Sequence, residues 1–199
     1  ALNSFLRARD SEATQVADSL DRQNRARQTV ERDLILEVEQ WVEEHYDASS
    51  HASIVAGRRE WHHGVLGIVA ARVMRRDHRP TLLVGFDESG LGKGSGRSIE
   101  GLSLVDALRQ CACHLEKFGG HEMAAGVTVH QDRFEEFRRA FEISARARVN
   151  DDILTPKLRL DAELPMEDIS LSLLDMQELL EPYGMGNAQP VFAARRVTP

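Results

Sequence analysis

The chain has 199 residues, of which 42% are hydrophobic and 29% charged, and its formal net charge is -7 at pH 7. This composition is typical of a globular protein, and no apolar run approaches the roughly 20 residues that a membrane span requires. Two cysteines are too few for a disulfide framework and no signal peptide opens the sequence, so we expect a cytoplasmic protein. The net negative charge argues against a protein that binds polyanions over its whole surface. It does not show where local basic patches lie.

The first part of the chain predicts one long helix. It contains neither glycine nor proline up to Ala56, and apolar residues recur at helical spacing from Val16 to Trp41 amid charges. A continuous helix over residues 11–43 would be about 50 Å long, more than a compact domain needs for its own core. We therefore expect a connector between domains. Its arginines alternate with acidic residues, so we interpret them as an ion-paired surface.

Strands and helices alternate over residues 52–149, which predicts a mixed α/β sheet flanked by helices. Composition changes after Asn150, where a turn-rich passage leads to a final strand. The predicted strands are Ser53–Gly57, Thr81–Val84 and Gly126–His130. Two helices are predicted over residues 60–76 and 104–118, the second with Ser103 as its cap. A third helix is predicted after Asp132 and carries a stripe of Phe134, Phe137 and Phe141.

Trp61, His62 and His63 stand at the start of the second predicted helix. A helix N-terminus offers free N–H groups and the positive end of a dipole, so histidines there suit a phosphate, and an indole can stack on a base. The same residues are equally compatible with a core indole beside solvent-facing histidines.

A glycine-rich run, GLGKGSGRS, occupies residues 90–98 and combines four glycines with Lys93, Ser95, Arg97 and Ser98. We predict a mobile or tightly turned segment that presents N–H groups, hydroxyls and two cations to a phosphate. The run fits neither GxGxxG nor the Walker A pattern, so dinucleotide and nucleoside triphosphate sites are disfavoured. A glycine-rich hairpin with solvated charges is the alternative.

The motif KFGGHEMAAG places His121 after Gly119 and Gly120 and before the small residues 124–126. Paired glycines and short side chains let another chain or a phosphodiester approach the backbone closely. The alternative is a glycine turn that leads into a strand.

Hydrolytic motifs are missing from the sequence. We find no cluster of aspartates and histidines for two metals, no second histidine for HExxH and no GxSxG. The sequence thus predicts a protein part that binds and does not cut.

Four segments, WHHGVLGIVAAR, GKGSGRS, KFGGHEMAAG and LEPYGMGNAQPVF, in this order resemble the RecJ exonucleases of the DHH phosphoesterase superfamily. The opening, with LDRQNRARQ, is similar to the helix that joins the DHH and DHH-associated domains in that family. Departures are small: Gly96 stands where many relatives have alanine, and Ala188 where proline is usual. The resemblance implies a long connecting helix with the end of the catalytic domain over residues 1–47, the DHH-associated substrate-binding domain over 48–150, and a linker with the truncated start of an oligonucleotide-binding barrel over 151–199.

The resemblance further implies a 5′-to-3′ exonuclease on single-stranded DNA in recombination and repair, with manganese or magnesium held by a DHH domain absent from this chain. The chain alone is then expected to hold no metal and to lack nuclease activity. Implied partners are single-stranded DNA, the enzyme's own DHH domain, a single-strand-binding protein and a helicase. The implied contacts to the strand backbone are Gly119, Gly120 and His121 with Arg97 and Ser98, and Trp61 and His62 match the family's Trp-His start; Lys93 and Ser95 complete the candidate set.

Two other functions stay open. One is a DHH phosphodiesterase of very short oligonucleotides or cyclic dinucleotides, which needs neither the long helix nor residues 182–192. The other is the RNA-binding DHH-associated module of alanyl-tRNA synthetase, which a preference for tRNA would indicate.

Overall fold

A computed structural model describes residues 10–195 and 197. Its first element, α1, spans Asp10–His45 and confirms the predicted long helix; the predicted extension over residues 1–9 lies outside the described residues. Among its described residues, the apolar side chains that are buried lie in its last third: Leu34, Val38 and Val42. No helix in the described part of the chain is both long and apolar enough to cross a membrane.

A five-stranded mixed sheet follows, in the order β1-β2-β3-β5-β4, with β1 and β2 parallel and the remaining neighbours antiparallel. This confirms the predicted mixed sheet flanked by helices. The elements are β1 Ile54–Arg59, α2 His63–Asp77, β2 Thr81–Phe86, β3 Leu91–Arg97, α3 Leu104–Arg109, β4 Lys117–Gly120, β5 Ala124–His130, α4 Phe134–Arg146 and α5 Asp151–Leu154.

The sheet separates two apolar cores, because side chains alternate between its faces. Helices α3 and α4 cover one face, where the phenylalanine stripe of α4 packs on Leu82, Val84 and Val127. Helices α1 and α2 cover part of the other face, over Ile54 and Leu83. The predicted stripe of phenylalanines is therefore core, as the spacing indicated.

The glycine-rich run is not a loop. It forms β3, the central strand, and its N–H and C=O groups pair with β2 and β5. Gly92, Gly94 and Gly96 face the core under α3, where a Cβ would lie 2.7 Å from Val127 at position 94 and 2.6 Å from Leu82 at position 96. The prediction of a mobile phosphate-binding turn is wrong, since these glycines make room for core side chains and their N–H groups are used in the sheet.

The helix predicted to run up to the double glycine is also shorter than expected. Helix α3 ends at Arg109, one 3₁₀ turn follows, and residues 117–120 form strand β4. Cys111 is buried, and burial raises the pKa of its thiol to about 11. Cys113, two positions further along the chain, is exposed.

Two charged side chains fix the entry into the sheet. Arg79 is 9% exposed and donates to the carbonyl oxygens of Ala48, His51 and Leu154 at 3.0–3.4 Å. On α4, the Glu142 carboxylate accepts the N–H groups of residues 52 and 53 at 2.8 and 2.9 Å and the Ser53 hydroxyl at 2.6 Å. Both groups satisfy backbone atoms that precede the edge strand β1.

We expect Glu142→Gln to destabilise the protein by about 1–3 kcal/mol at pH 7, in the range of hydrogen bonds to charged groups. Burial raises the pKa of Glu142, but hydrogen bonds from Ser53, Ala52 and Arg146 outweigh burial and lower it overall. A lowered pKa stabilises the fold above the unfolded-state pKa, and this contribution is lost as pH falls below about 4.3. Urea unfolding followed by tryptophan fluorescence at pH 7 and pH 3.5 should therefore show a gap between the two proteins that narrows in acid. A gap of equal size at both pH values would contradict this assignment.

Residues 156–199 form a second compact unit. Its described elements are β6 Ala162–Glu163, α6 Leu171–Glu178 and β7 Phe192–Ala193, and β6 pairs in parallel with β7. Apolar side chains such as Leu171, Met185 and Leu179 are exposed on it. The division predicted at residue 150 remains a prediction, although chain contacts separate the two units after Thr155.

Candidate nucleic-acid interface

One half of the sheet face that carries α2 is exposed. Gly126 on β5, Gly119 and Lys117 on β4, and Lys93 on β3 are all accessible to solvent. We call this surface, formed by the outward residues of β3, β5 and β4, the open face. Helix α2 borders it along β3.

Strand register arranges the open face in three rows of three residues. Each row has its middle residue on β5 and its outer residues on β3 and β4, and the hydrogen bond from His121 N to Ala124 O continues the pairing of β4 by one residue. Outer positions in a row are about 10 Å apart, twice the strand spacing. The rows are Lys93, Thr128 and Lys117; Ser95, Gly126 and Gly119; and Arg97, Ala124 and His121. None of these nine residues is acidic, so the face is locally basic in a chain of formal net charge -7.

The middle of the open face is bare backbone. A Cβ added at Gly119 would meet no atom within 4 Å, and one at Gly126 would meet only Gly94 O at 3.7 Å. Internal packing therefore does not require glycine at either position. Gly120 differs, because its φ is +152° and its Cβ would lie 2.4 Å from Ala124 O. Gly120 is needed by the hairpin, whereas Gly119 and Gly126 leave room for a ligand to approach the backbone.

Arg97 is oriented along the open face. Its Nη1 donates to Ser95 Oγ at 3.1 Å and to Gly96 O at 2.7 Å. Gly67 of α2 accommodates the guanidinium, since a Cβ there would lie 2.7 Å from Arg97 Nη2. Within the described residues, the Nε–Nη2 edge makes no hydrogen bond and Arg97 forms no ion pair. That edge has the geometry that binds the two oxygens of a phosphate.

His121 is exposed at the hairpin between β4 and β5. The tip of this hairpin is held by two backbone hydrogen bonds, from Ser98 N to Met123 O at 3.0 Å and from Leu104 N to Glu122 O at 2.8 Å. The imidazole is thus carried by a hairpin that is tied to both β3 and α3. Its ring can donate to an anion without a change of the backbone.

Two predicted contacts need correction. Trp61 is 5% exposed and its Nε1 donates to Glu37 of α1 at 3.1 Å, so its ring faces are not available to stack on a base. Ser98 is fully buried and its hydroxyl donates to Leu102 O at 2.7 Å, so the hydroxyl is not available to a phosphate. Both side chains support the site from within the core. Their burial could not be predicted from a local motif.

The two histidines at the start of α2 are exposed but differ in their contacts. His62 Nδ1 accepts the N–H of Gly64 at 3.1 Å and caps the helix, which leaves Nε2 as its outward group. His63 lies beside Gly85, which pairs with Lys93 of the first row. His63 also lies near Asp87: hydrogen bonds from Ser89 are the main cause that lowers the pKa of Asp87, and His63 contributes to this lowering. The role of His62 in binding stays a prediction.

Three further residues of this surface were not among the predicted contacts. Lys117 and Thr128 belong to it through strand pairing, and Gly67 through its contact with Arg97. Alternation along β5 also separates the small residues, because Ala124 and Gly126 lie on the open face while Ala125 is buried in the opposite core. In the sequence, only the alternation of residues 124–128 indicated this surface. Such alternation predicts on which face of the sheet a side chain lies, but not which strands are paired.

No group of three or more His, Cys, Asp or Glu side chains that could hold a metal ion occurs in residues 10–195 and 197. The described residues therefore do not fit a bound manganese or magnesium ion, and we assign no step to a metal on this chain.

Family models match two parts of the chain, the DHHA1 domain at residues 50–146 and the RecJ OB domain at residues 160–199. The chain is 35% identical over 189 residues to the single-stranded-DNA-specific exonuclease RecJ of Bacillus subtilis, covering 94% of this chain and 24% of that protein. It is 34% identical to RecJ of Dickeya dadantii over 190 residues, covering 92% of this chain and 33% of the relative. It therefore spans about a quarter to a third of the length of these relatives.

The crystal structure of RecJ from Thermus thermophilus in complex with Mg²⁺ superposes with a TM-score of 0.82 at 33% identity, over 96% of this chain and 29% of that one. A structure of exonuclease RecJ bound to manganese matches with a TM-score of 0.62 at 34% identity, over 72% of this chain and 34% of that one. Sequence, domain order and fold agree: the chain carries a DHHA1 domain followed by a RecJ OB segment, and it is similar to RecJ proteins over most of its own length.

Proposed function

We propose that this chain is the DNA-holding part of a RecJ-type 5′-to-3′ exonuclease that acts in recombination and repair. In this proposal the open face binds the sugar-phosphate backbone of single-stranded DNA and presents it to a DHH catalytic domain of the same protein. Its relatives bear the name of single-stranded-DNA-specific exonucleases, and solved RecJ structures are in complex with Mg²⁺ or Mn²⁺. We assign the divalent metal and the hydrolysis to that DHH domain, and a cytoplasmic location to the whole enzyme.

One observation carries the proposal: cationic and imidazole side chains surround a floor of bare backbone. Lys93, Arg97, Lys117 and His121 stand at the outer positions of the rows, and Gly126 lies at the centre. Each outer cation can contact a phosphate, while the bare backbone at Gly119 and Gly126 lets sugars and bases lie against the sheet. Contacts of this kind are made to the backbone and are therefore independent of sequence.

The competing function of a phosphodiesterase for very short oligonucleotides has less support. It needs neither a 36-residue α1 nor a RecJ OB segment, and the chain has both. A single-strand-binding protein and a helicase remain partners proposed from family resemblance.

Replacing Arg97 by alanine should weaken the binding of single-stranded DNA by about 1–3 kcal/mol, in the range of charge-assisted hydrogen bonds. His121→Ala should have an effect of the same order. Arg25 serves as the matched control, because it is exposed on α1 and already pairs with Asp21 at 2.8 Å. Arg25→Ala should cost only a few tenths of a kcal/mol, about the value of an exposed ion pair.

Fluorescence anisotropy with an oligothymidine at low salt measures these differences, and circular dichroism checks that each variant is folded. Arg97→Lys adds a second test, since it keeps the charge but loses the two parallel hydrogen bonds. We expect it to restore less than half of the lost binding energy. Equal losses for Arg97→Ala and Arg25→Ala would mean that the open face only attracts DNA diffusely.

A further inference from the structure

The strand β1 is one edge of the sheet, at the opposite end from β4. Its parallel pairing with β2 uses alternate residues, as the hydrogen bonds from Ile54 N to Pro80 O and from Glu60 N to Phe86 O show. The N–H and C=O groups of Val55, Gly57 and Arg59 therefore point away from the sheet. An exposed edge with free backbone groups is a template for another strand.

Two neighbouring cavities lie along this edge, and we call them together the edge groove. Helix α1 forms one wall and α4 the other, and the floor consists of Ser53 and most of β1. The cavities measure about 390 and 490 Å³, and Trp41 lines both. The floor is about 20 Å long at 3.3 Å per residue, enough for an extended segment of about six residues.

The first cavity is suited to an apolar side chain. Trp41, Tyr46 and Ile143 line it, and Ile143 is 71% exposed on α4. Trp41 is itself braced by stacking on His45 at 4.8 Å between ring centroids. This cavity combines an exposed isoleucine with an ordered indole and lies next to a free strand edge. It could therefore bind one apolar side chain of an added strand.

The charges of the edge groove favour an acidic ligand. Four arginines and two glutamates line it, in a chain whose formal net charge is -7. Both glutamates are already engaged, Glu135 by Arg138 at 2.6 Å and Glu142 by the backbone before β1. Arg59 donates only to the neutral Gln131, and Arg139 has no hydrogen bond or ion pair within the described residues. The remaining positive charge is thus available to an anion.

We propose that the edge groove docks an extended acidic segment of a partner protein, which adds a sixth strand along β1. The segment pairs with the backbone at Gly57 and Arg59, where the edge is accessible, and places one bulky apolar side chain between Trp41 and Ile143. Acidic side chains on its outer face meet Arg59 and Arg139. Backbone pairing supplies affinity in this mode of recognition, and the pocket and charges supply selectivity.

The test uses the 199-residue chain and a fluorescein-labelled hexapeptide of alternating glutamate and apolar residues, Glu-Val-Glu-Phe-Glu-Val, with Lys-Val-Lys-Phe-Lys-Val as the opposite probe. Anisotropy should show binding of the acidic probe, and binding of the basic probe at least about tenfold weaker. Arg139→Glu and Ile143→Asp should each weaken the acidic probe by about fivefold or more, since both residues are exposed and their replacement leaves the core intact. Arg75→Glu, an exposed arginine at the end of α2, should change it by less than about twofold.

Hydrogen exchange adds a readout that charge attraction alone does not move. The bound acidic probe should slow exchange of the Gly57 and Arg59 amides and leave Lys117 and Gly119 of β4 unchanged. Equal effects of Arg139→Glu and Arg75→Glu, no slowing at Gly57, or displacement of the probe by oligothymidine would overturn the proposal. So would sedimentation showing a dimer that Ile143→Asp dissociates, because the groove would then belong to a second copy of this chain.

Discussion

Replacing Gly126 by valine is expected to leave the protein folded and to remove most of its affinity for single-stranded DNA. A Cβ at this position meets only Gly94 O at 3.7 Å, and valine suits an extended strand better than glycine. The free energy of unfolding should therefore be unchanged or higher by about 0.5–1 kcal/mol. The branched side chain would stand in the centre of the open face, where the proposed DNA backbone lies.

Binding of oligothymidine to Gly126→Val should fall by about tenfold or more, which corresponds to ~1.4 kcal/mol. Urea unfolding and anisotropy on the same preparation separate the two effects. Thr128→Val places the same side chain in the neighbouring row of the open face with little change in volume, so a smaller loss of binding there would locate the effect at the bare centre. Undiminished DNA binding by a folded Gly126→Val protein would show that the bare floor is not where the strand lies.

The largest loss of stability is expected from Gly85→Ala. Gly85 lies on β2, and a Cβ there would be 2.2 Å from the carbonyl oxygen of Trp61. Backbone would have to move, and Trp61 would be drawn away from its buried position and its hydrogen bond to Glu37. We expect a loss of roughly 3 kcal/mol or more, at the upper end of the cost of overpacking.

Tryptophan fluorescence during urea unfolding reports this change directly, since both tryptophans, Trp41 and Trp61, belong to the first compact unit. Gly119→Ala is the control, because its added methyl group meets no atom within 4 Å. It should unfold at the same urea concentration as the parent or slightly above it. Similar losses for Gly85→Ala and Gly119→Ala would mean that the contact with Trp61 is relieved without cost.

Elements with a strong periodic pattern were predictable from the sequence. Helix α1 follows from an apolar stripe without glycine or proline, and the stripe of Phe134, Phe137 and Phe141 is buried as its spacing indicates. The mixed sheet follows from the alternation of strands and helices, and it is confirmed. In each case, a local pattern and the packing of the fold require the same side chains to be buried.

The glycine-rich strand β3 could not be predicted from local preferences, which favour turns for such a run. Its glycines at 92, 94 and 96 follow the period of a strand. The space beside them is filled by large side chains from β2, β5 and α3, which the local sequence does not show. Likewise, Lys93 and Lys117 are 24 positions apart in the sequence and share a row only through the register with Thr128. The side chains that we propose to bind phosphate were visible in the sequence, whereas their arrangement on a sheet face depends on strand partners.

The small residues of the open face also affect the entropy of binding. Gly119, Gly126 and Ala124 have no side-chain rotamers to lose, and the Ser95 hydroxyl is already held by Arg97. Fixing a lysine side chain costs about 1.5–2 kcal/mol in rotamer entropy, so this loss is concentrated in the two lysines at the ends of one row. In the proposed complex, most of this surface is thus ordered before the DNA strand binds, and most of the conformational entropy that binding must remove belongs to the DNA.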